Sequence, residues 1–202
     1  MTALLRLSSW IDAFNERVGR LLSWLVLAAV LISAGNAIMR KAFNIGSNAF
    51  LEIQWYLFAA VFMLGAGYAF LKNAHVRIDF ISSKLSTRTN TLIDIAGIVI
   101  FLVPLSLILI NLSWPLFTQA YTSGEMSQNA GGLIRWPVLL MIPLGFSILL
   151  VQAVSELIKR VAYLKGLRDE PMSVEHGPSD EEKLAAELAA KAEQAAREGA
   201  RS

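Results

Sequence analysis

The chain has 202 residues, 55% of them apolar and 17% charged, and a formal net charge of +2. So apolar a composition, with so little charge, belongs to a membrane protein rather than to one or two ordinary soluble domains, and the basic groups do not gather into a nucleic-acid patch. With no cysteine at all, disulfides and thiolate metal sites are excluded.

In chain order, residues 4–18 come first. Leu4, Leu7, Ile11, Phe14 and Val18 recur at three- and four-residue steps, with Arg6, Asp12, Glu16 and Arg17 elsewhere on the wheel. This spacing predicts an amphipathic helix over residues 1–20 that lies along a membrane surface, with Trp10 near the headgroups, before the chain turns inward. Four long apolar runs follow. No charge falls between Leu21 and Met39, between Ile53 and Leu71, between Ile95 and Phe117, or between Trp136 and Ser155. Each run approaches the roughly 20 helical residues that cross a hydrocarbon core. Spans are expected near 21–40, 50–71, 91–117 and 136–157, making residues 21–158 a four-helix transmembrane domain. A cleaved signal peptide is the rival reading of the first run, because Ser33, Ala34, Gly35 and Ala37 are small. The run is too long for that, and Arg40 and Lys41 close it.

The links carry further signals. Between spans two and three, Val76, Phe80, Ile81 and Leu85 form an apolar stripe, and Ser86 or Thr87 is suited to cap the third helix. Pro137 suits the first turn of the fourth span. Residues 159–202 form a linker and a tail. Gly177 and Pro178 break the chain, Ser179 with Glu182 makes a capping box, and Asp180 to Glu198 reads as a soluble, Ala-rich charged helix. Orientation follows from Lys and Arg. Eleven of them, among them Arg6, Arg17, Arg20, Lys72, Lys159 and Arg160, flank one side, against Arg40, Lys41 and Arg135 on the other. The positive-inside rule therefore places both termini and the middle link in the cytoplasm. The fold class expected is an all-α integral membrane protein: four transmembrane helices, a cytoplasmic amphipathic N-terminal helix and a soluble charged C-terminal helix.

The spans offer little chemistry. No ionisable residue stands in mid-membrane, where one costs at least ~2.5 kcal/mol and is kept for ion or proton pathways. Asn36, Asn111 and Gln152 are better suited to interhelical hydrogen bonds. Paired intramembrane histidines for haem are missing, since His75 sits at a span edge and His176 in the tail. Catalytic, cofactor and metal sites are therefore not expected.

The distinctive residues lie at the edges. Glu52 opens span two, with Trp55 and Tyr56 three and four residues later and expected on the same face. This is either a first-turn acid favoured by the helix dipole beside interfacial aromatics, or an intersubunit contact. Gly65 and Gly67 permit close helix approach. His75 and Asp79, four apart, form a surface pair or a partner contact. The link between spans three and four runs from Tyr121 to Pro137 with Glu125 and Arg135 as its only charges. Longer than a hairpin needs, it is either a connector or a docking surface.

Together the stretches EIQWYLF from Glu52, LGAGYAFLKNAHVRIDF, SGEMS and RWPVLLMIPLGF resemble one family. It is the small membrane subunit of tripartite ATP-independent periplasmic (TRAP) transporters, and most closely its mannitol or chloroaromatic branch, with the resemblance running over residues 5–165. The tail beyond Pro171 is not part of that pattern. The resemblance implies a large permease subunit that carries the sodium and substrate sites and moves as an elevator. It also implies a periplasmic solute-binding protein that delivers an organic acid. The small subunit would enlarge the fixed scaffold of the large one within the bilayer of a bacterial inner membrane. Carried over, Glu52, Trp55, His75 and Asp79 become candidates for assembly or membrane positioning, and Glu125, Ser127 and Arg135 for the periplasmic docking face. Two other readings of the residues stay open: a self-contained four-helix exporter built around Glu52, and a membrane anchor for an enzyme complex.

Overall fold

The structure is a computed structural model and describes residues 2–74 and 85–168. The His75–Asp79 pair, the apolar stripe of the middle link apart from Leu85, and the charged tail lie outside the described residues. Four helices account for most of the rest: α1 (Thr2–Phe43), α2 (Asn48–Leu71), α3 (Thr87–Ser123) and α4 (Trp136–Leu164), each long and apolar enough to cross a membrane. Every expected span falls within one of them.

Local chemistry explains the helix ends. The Ser86 hydroxyl accepts the Thr89 N–H at 3.2 Å, the expected N-cap of α3. Gly124, at φ 62°, ends α3 in the left-handed region open to glycine. Pro137 occupies the first turn of α4, where no N–H is required. At its far end the Leu167 N–H reaches back to the Ala162 carbonyl at 3.0 Å across Gly166 (φ 70°), a Schellman closure. Within α3, Ile98–Leu102 widens into a π-helical turn just before Pro104. Proline has no N–H to continue the α ladder, and the wider turn absorbs the mismatch.

The N-terminal segment departs from expectation. It is helical, but α1 runs without interruption from Thr2 to Phe43, so the chain makes no turn between an interfacial helix and the first span. At 1.5 Å per residue α1 is about 63 Å long, roughly twice the hydrocarbon thickness. Its stripes are also arranged in the opposite sense to a soluble helix. Ser8, Asn15 and Gly19 are buried against the bundle, while Leu4, Leu7 and Phe14 are about half exposed.

The same inversion holds throughout. α4 is central, packing against α2 and α3 on its two sides and against α1 near the chain termini, while α1 also lies along α2. The buried residues are mostly small or polar, among them Ala29, Ser106, Ala120, Ala153 and Ser155. Large apolar side chains such as Trp24, Phe62, Phe101 and Leu112 point outward. Lipid is as apolar as leucine, so packing in a bilayer favours small residues and hydrogen bonds between helices over buried bulk. Close approach is visible at Gly145, where an added Cβ would stand 2.6 Å from the Met63 carbonyl oxygen, and at Gly19, 2.5 Å from the Tyr68 ring. Gly67 admits Asn15 and Ile148 in the same way, and Gly65 faces Leu22. The tight contacts expected of Gly65 and Gly67 are therefore present.

Candidate functional site

Polar chemistry concentrates at the two ends of the bundle. At the loop end, α2 begins with Asn48, Glu52 and Tyr56, spaced four apart and so aligned on one face. That face holds the α3–α4 loop. Glu52 is 3% exposed. Its Oε1 accepts from the Ser127 hydroxyl and, at 2.8 Å, from Asn129 Nδ2; its Oε2 accepts the Leu133 N–H at 2.7 Å. Asn48 Nδ2 donates to the Ala130 carbonyl at 2.9 Å, and the Tyr56 hydroxyl to the Ile134 carbonyl at 3.1 Å. The loop closes on itself through a bridge between Met126 and Ile134 and an ion pair between Arg135 and Glu125. A Cβ on Gly132 would meet Ser127 at 2.6 Å and Glu52 Oε1 at 2.7 Å. Only a glycine lets the turn fold this closely onto the carboxylate.

At the opposite end, where α1 starts and α4 finishes, a larger cluster is buried. Lys159 and Arg160 are each 2% exposed and Glu156 3%. Lys159 pairs with Glu156 and with Asp12 Oδ2 at 3.0 Å. Arg160 pairs with Glu156 and reaches Asp94 Oδ2 at 3.3 Å. Ser155 donates to Asp12 Oδ1 at 2.7 Å, and Gln152 Nε2 to the same oxygen at 3.0 Å. Asn15 Nδ2 in turn donates to Gln152 Oε1 at 2.8 Å. With the Ser155 proton given to Asp12, Ser8 must be the donor in its 2.7 Å contact with Ser155. Three carboxylates thus meet two cations, tying α1 and α3 to the end of α4. A buried charge is tolerable only when paired and hydrogen-bonded in this way.

The carboxylates are held by donors or cations, and among the described residues no group of His, Cys, Asp and Glu is placed to hold a metal ion. Of the residues singled out from the sequence, the structure brings Glu52 and Ser127 into direct contact and pairs Glu125 with Arg135 half-exposed on the same loop. Trp55 does not share the Glu52 face; it is 62% exposed and points outward, while Tyr56 joins the loop. Gln152 makes the interhelical bonds expected of it.

Sequence reasoning missed the second cluster. Lys159 and Arg160 counted only as topological charges, Asp12 only as part of a solvated face, and Asp94 and Glu156 not at all. The signal was present as two polar stripes at helical spacing: Ser8, Asp12, Asn15, Gly19 on α1, and Gln152, Ser155, Glu156, Lys159 on α4.

This four-helix arrangement can be set beside known proteins. Residues 29–162 match the model of the DctQ component of tripartite ATP-independent periplasmic transporters. The chain belongs to the DctQ family. It is therefore a small permease subunit of a TRAP transporter and a multi-pass membrane protein, and DctQ is a transporter component rather than an enzyme family. Neither curated proteins nor solved structures gave a significant match. The matched region of this DctQ protein takes in the Glu52 loop clasp and both Lys159 and Arg160, but not the first helical turns of α1 with Ser8 and Asp12.

Proposed function

We propose that this DctQ subunit is a non-transporting scaffold within a sodium-coupled uptake system. A large permease subunit carries the sodium and substrate sites, and a periplasmic binding protein delivers an organic acid. One observation carries this reading: the acidic and basic groups of the two polar clusters are engaged in holding the chain's own helices and loop. Glu52, the one acid on which a self-contained exporter would be built, has both oxygens engaged by the α3–α4 loop. Between the two polar ends, residues 21–39, 53–71, 95–124 and 136–155 contain no charged side chain, so nothing along the spans supplies an ion or proton relay.

The excess of Lys and Arg at the terminal end supports placing that end in the cytoplasm and the α3–α4 loop in the periplasm of a bacterial inner membrane. The loop, locked by Glu52 and Tyr56, then offers Glu125 and Arg135 on a stable platform to the binding protein. Glu52 and Ser127 act by shaping that platform, and Trp55 by positioning α2 at the membrane surface. The residues His75 and Asp79, on the cytoplasmic link, serve assembly in this scheme. Capture of the tagged chain from its native membrane in mild detergent tests the reading. The expected companion is a large multi-span protein in near-equal amount. Recovery of a soluble oxidoreductase, or of a dimer of this chain alone, contradicts it.

A further inference from the structure

The polar residues inside the spans have unequal fates. Gln152 is fully buried and bonded to Asn15 and Asp12. Asn111 is exposed on α3, away from the bundle, and no described residue hydrogen-bonds its carboxamide. It lies ten residues before Tyr121, about 15 Å along the helix. Tyr121 itself packs edge-on against Trp136 at 5.6 Å in the aromatic layer that marks the membrane surface. Asn111 is therefore well inside the hydrocarbon region, and its side chain is too short to reach water.

A second acceptor at the same turn lacks its regular helical donor. Pro115 stands four residues on and has no N–H, so the Asn111 carbonyl loses its helical donor. Nearby hydroxyls do not replace it: Ser113 donates to Leu109 and Ile110, and Thr118 to Pro115. The Asn111 carboxamide thus presents two donor hydrogens and a carbonyl oxygen to an environment that offers no hydrogen bonds, beside a backbone carbonyl deprived of its usual donor.

We propose that the outward face of α3 around Asn111, with Ile108 and Leu112 beside it, is the surface on which a transmembrane helix of the large permease subunit docks. A polar side chain of that helix satisfies Asn111. The proposal rests on the reading of the chain as one component of a larger transporter, and adds where the two membrane subunits meet. Hydrogen bonding between carboxamides or hydroxyls is the interaction that pairs helices in lipid, where apolar contact alone gives no preference for protein over lipid.

The test uses the intact complex in native membranes. Asn111→Leu is expected to weaken retention of the large subunit about three- to tenfold, the range of one interhelical hydrogen bond. The chain's own thermal stability should change little, because the side chain is exposed and hydrogen-bonds to no described residue of the bundle. Asn111→Gln, which keeps the carboxamide, should retain the partner. A photoreactive benzoylphenylalanine at Ile108 should crosslink to the large subunit. Full retention by Asn111→Leu overturns the proposal, as does a crosslink from Ile108 to lipid alone or to a second copy of this chain. If the wild-type chain captures no large subunit, the assembly reading itself fails, and the proposal with it.

Discussion

Replacing Lys159 with Met keeps much of the side chain's volume and removes its charge from the buried terminal cluster. Asp12, Asp94 and Glu156 would then face Arg160 alone. Breaking a buried pair by removing one partner costs roughly 3–5 kcal/mol, because the remaining charge is left uncompensated. Two features reduce that figure here. The Asp12 side chain is 19% exposed and recovers some hydration, and Arg160 still holds Glu156. A loss of about 2–4 kcal/mol is therefore expected. The assay is reversible denaturation in detergent or nanodiscs, run as a cycle with Asp12→Asn. Removing both charges should restore at least half of the loss, since the double variant leaves no unpaired carboxylate on α1. A Lys159→Met chain within about 0.5 kcal/mol of wild type would refute the reasoning, and so would strict additivity in the cycle.

The loop clasp makes separate predictions. Glu52→Ala removes the acceptor of three donors, and amide exchange over residues 125–135 should rise at least about tenfold while the helices stay protected. Gly132→Ala, whose Cβ would strike Ser127 and the Glu52 carboxylate, should open the same loop, and combining the two should add little. Gly145→Val drives a branched side chain into the Met63 carbonyl and should cost about 1–3 kcal/mol or more by forcing α2 and α4 apart, read as a lowered melting temperature. Lys72→Ala should be nearly neutral in the same measurement, because its 2.8 Å pair with Glu16 is about half exposed on both sides.

The helices were legible for a plain physical reason. Uncharged apolar runs of bilayer length leave few alternatives, and caps such as Ser86 and Pro137 act within a single turn. Gly65 and Gly67 were legible too, since the absence of a side chain leaves one main use for a glycine inside a span. Glu52 was read as a first-turn acid, whereas α2 begins at Asn48 and places it in the second turn; its partners Ser127 and Leu133 lie 75 and 81 residues away, and no local pattern announces them. The apolar stripe of α1 was read as membrane-facing, but its polar stripe was left to solvent. In water the face carrying Leu4, Leu7 and Phe14 would pack inward; beside lipid it is the stripe of Ser8, Asp12 and Asn15 that must find partners in protein. Asp94 escaped notice because only folding brings it within reach of Arg160, 66 residues away; Glu156, one helical turn before Arg160, was legible by spacing and was overlooked as a lone acid at a span's edge.

The central claim is that this DctQ subunit supports transport without containing a pathway. Proteoliposomes test it most directly, with uptake measured under an inward sodium gradient in the presence of the binding protein. Vesicles holding the large subunit together with this chain should accumulate the organic acid, and vesicles holding this chain alone should not exceed empty ones. Substrate flux through vesicles that contain only this chain would contradict the claim.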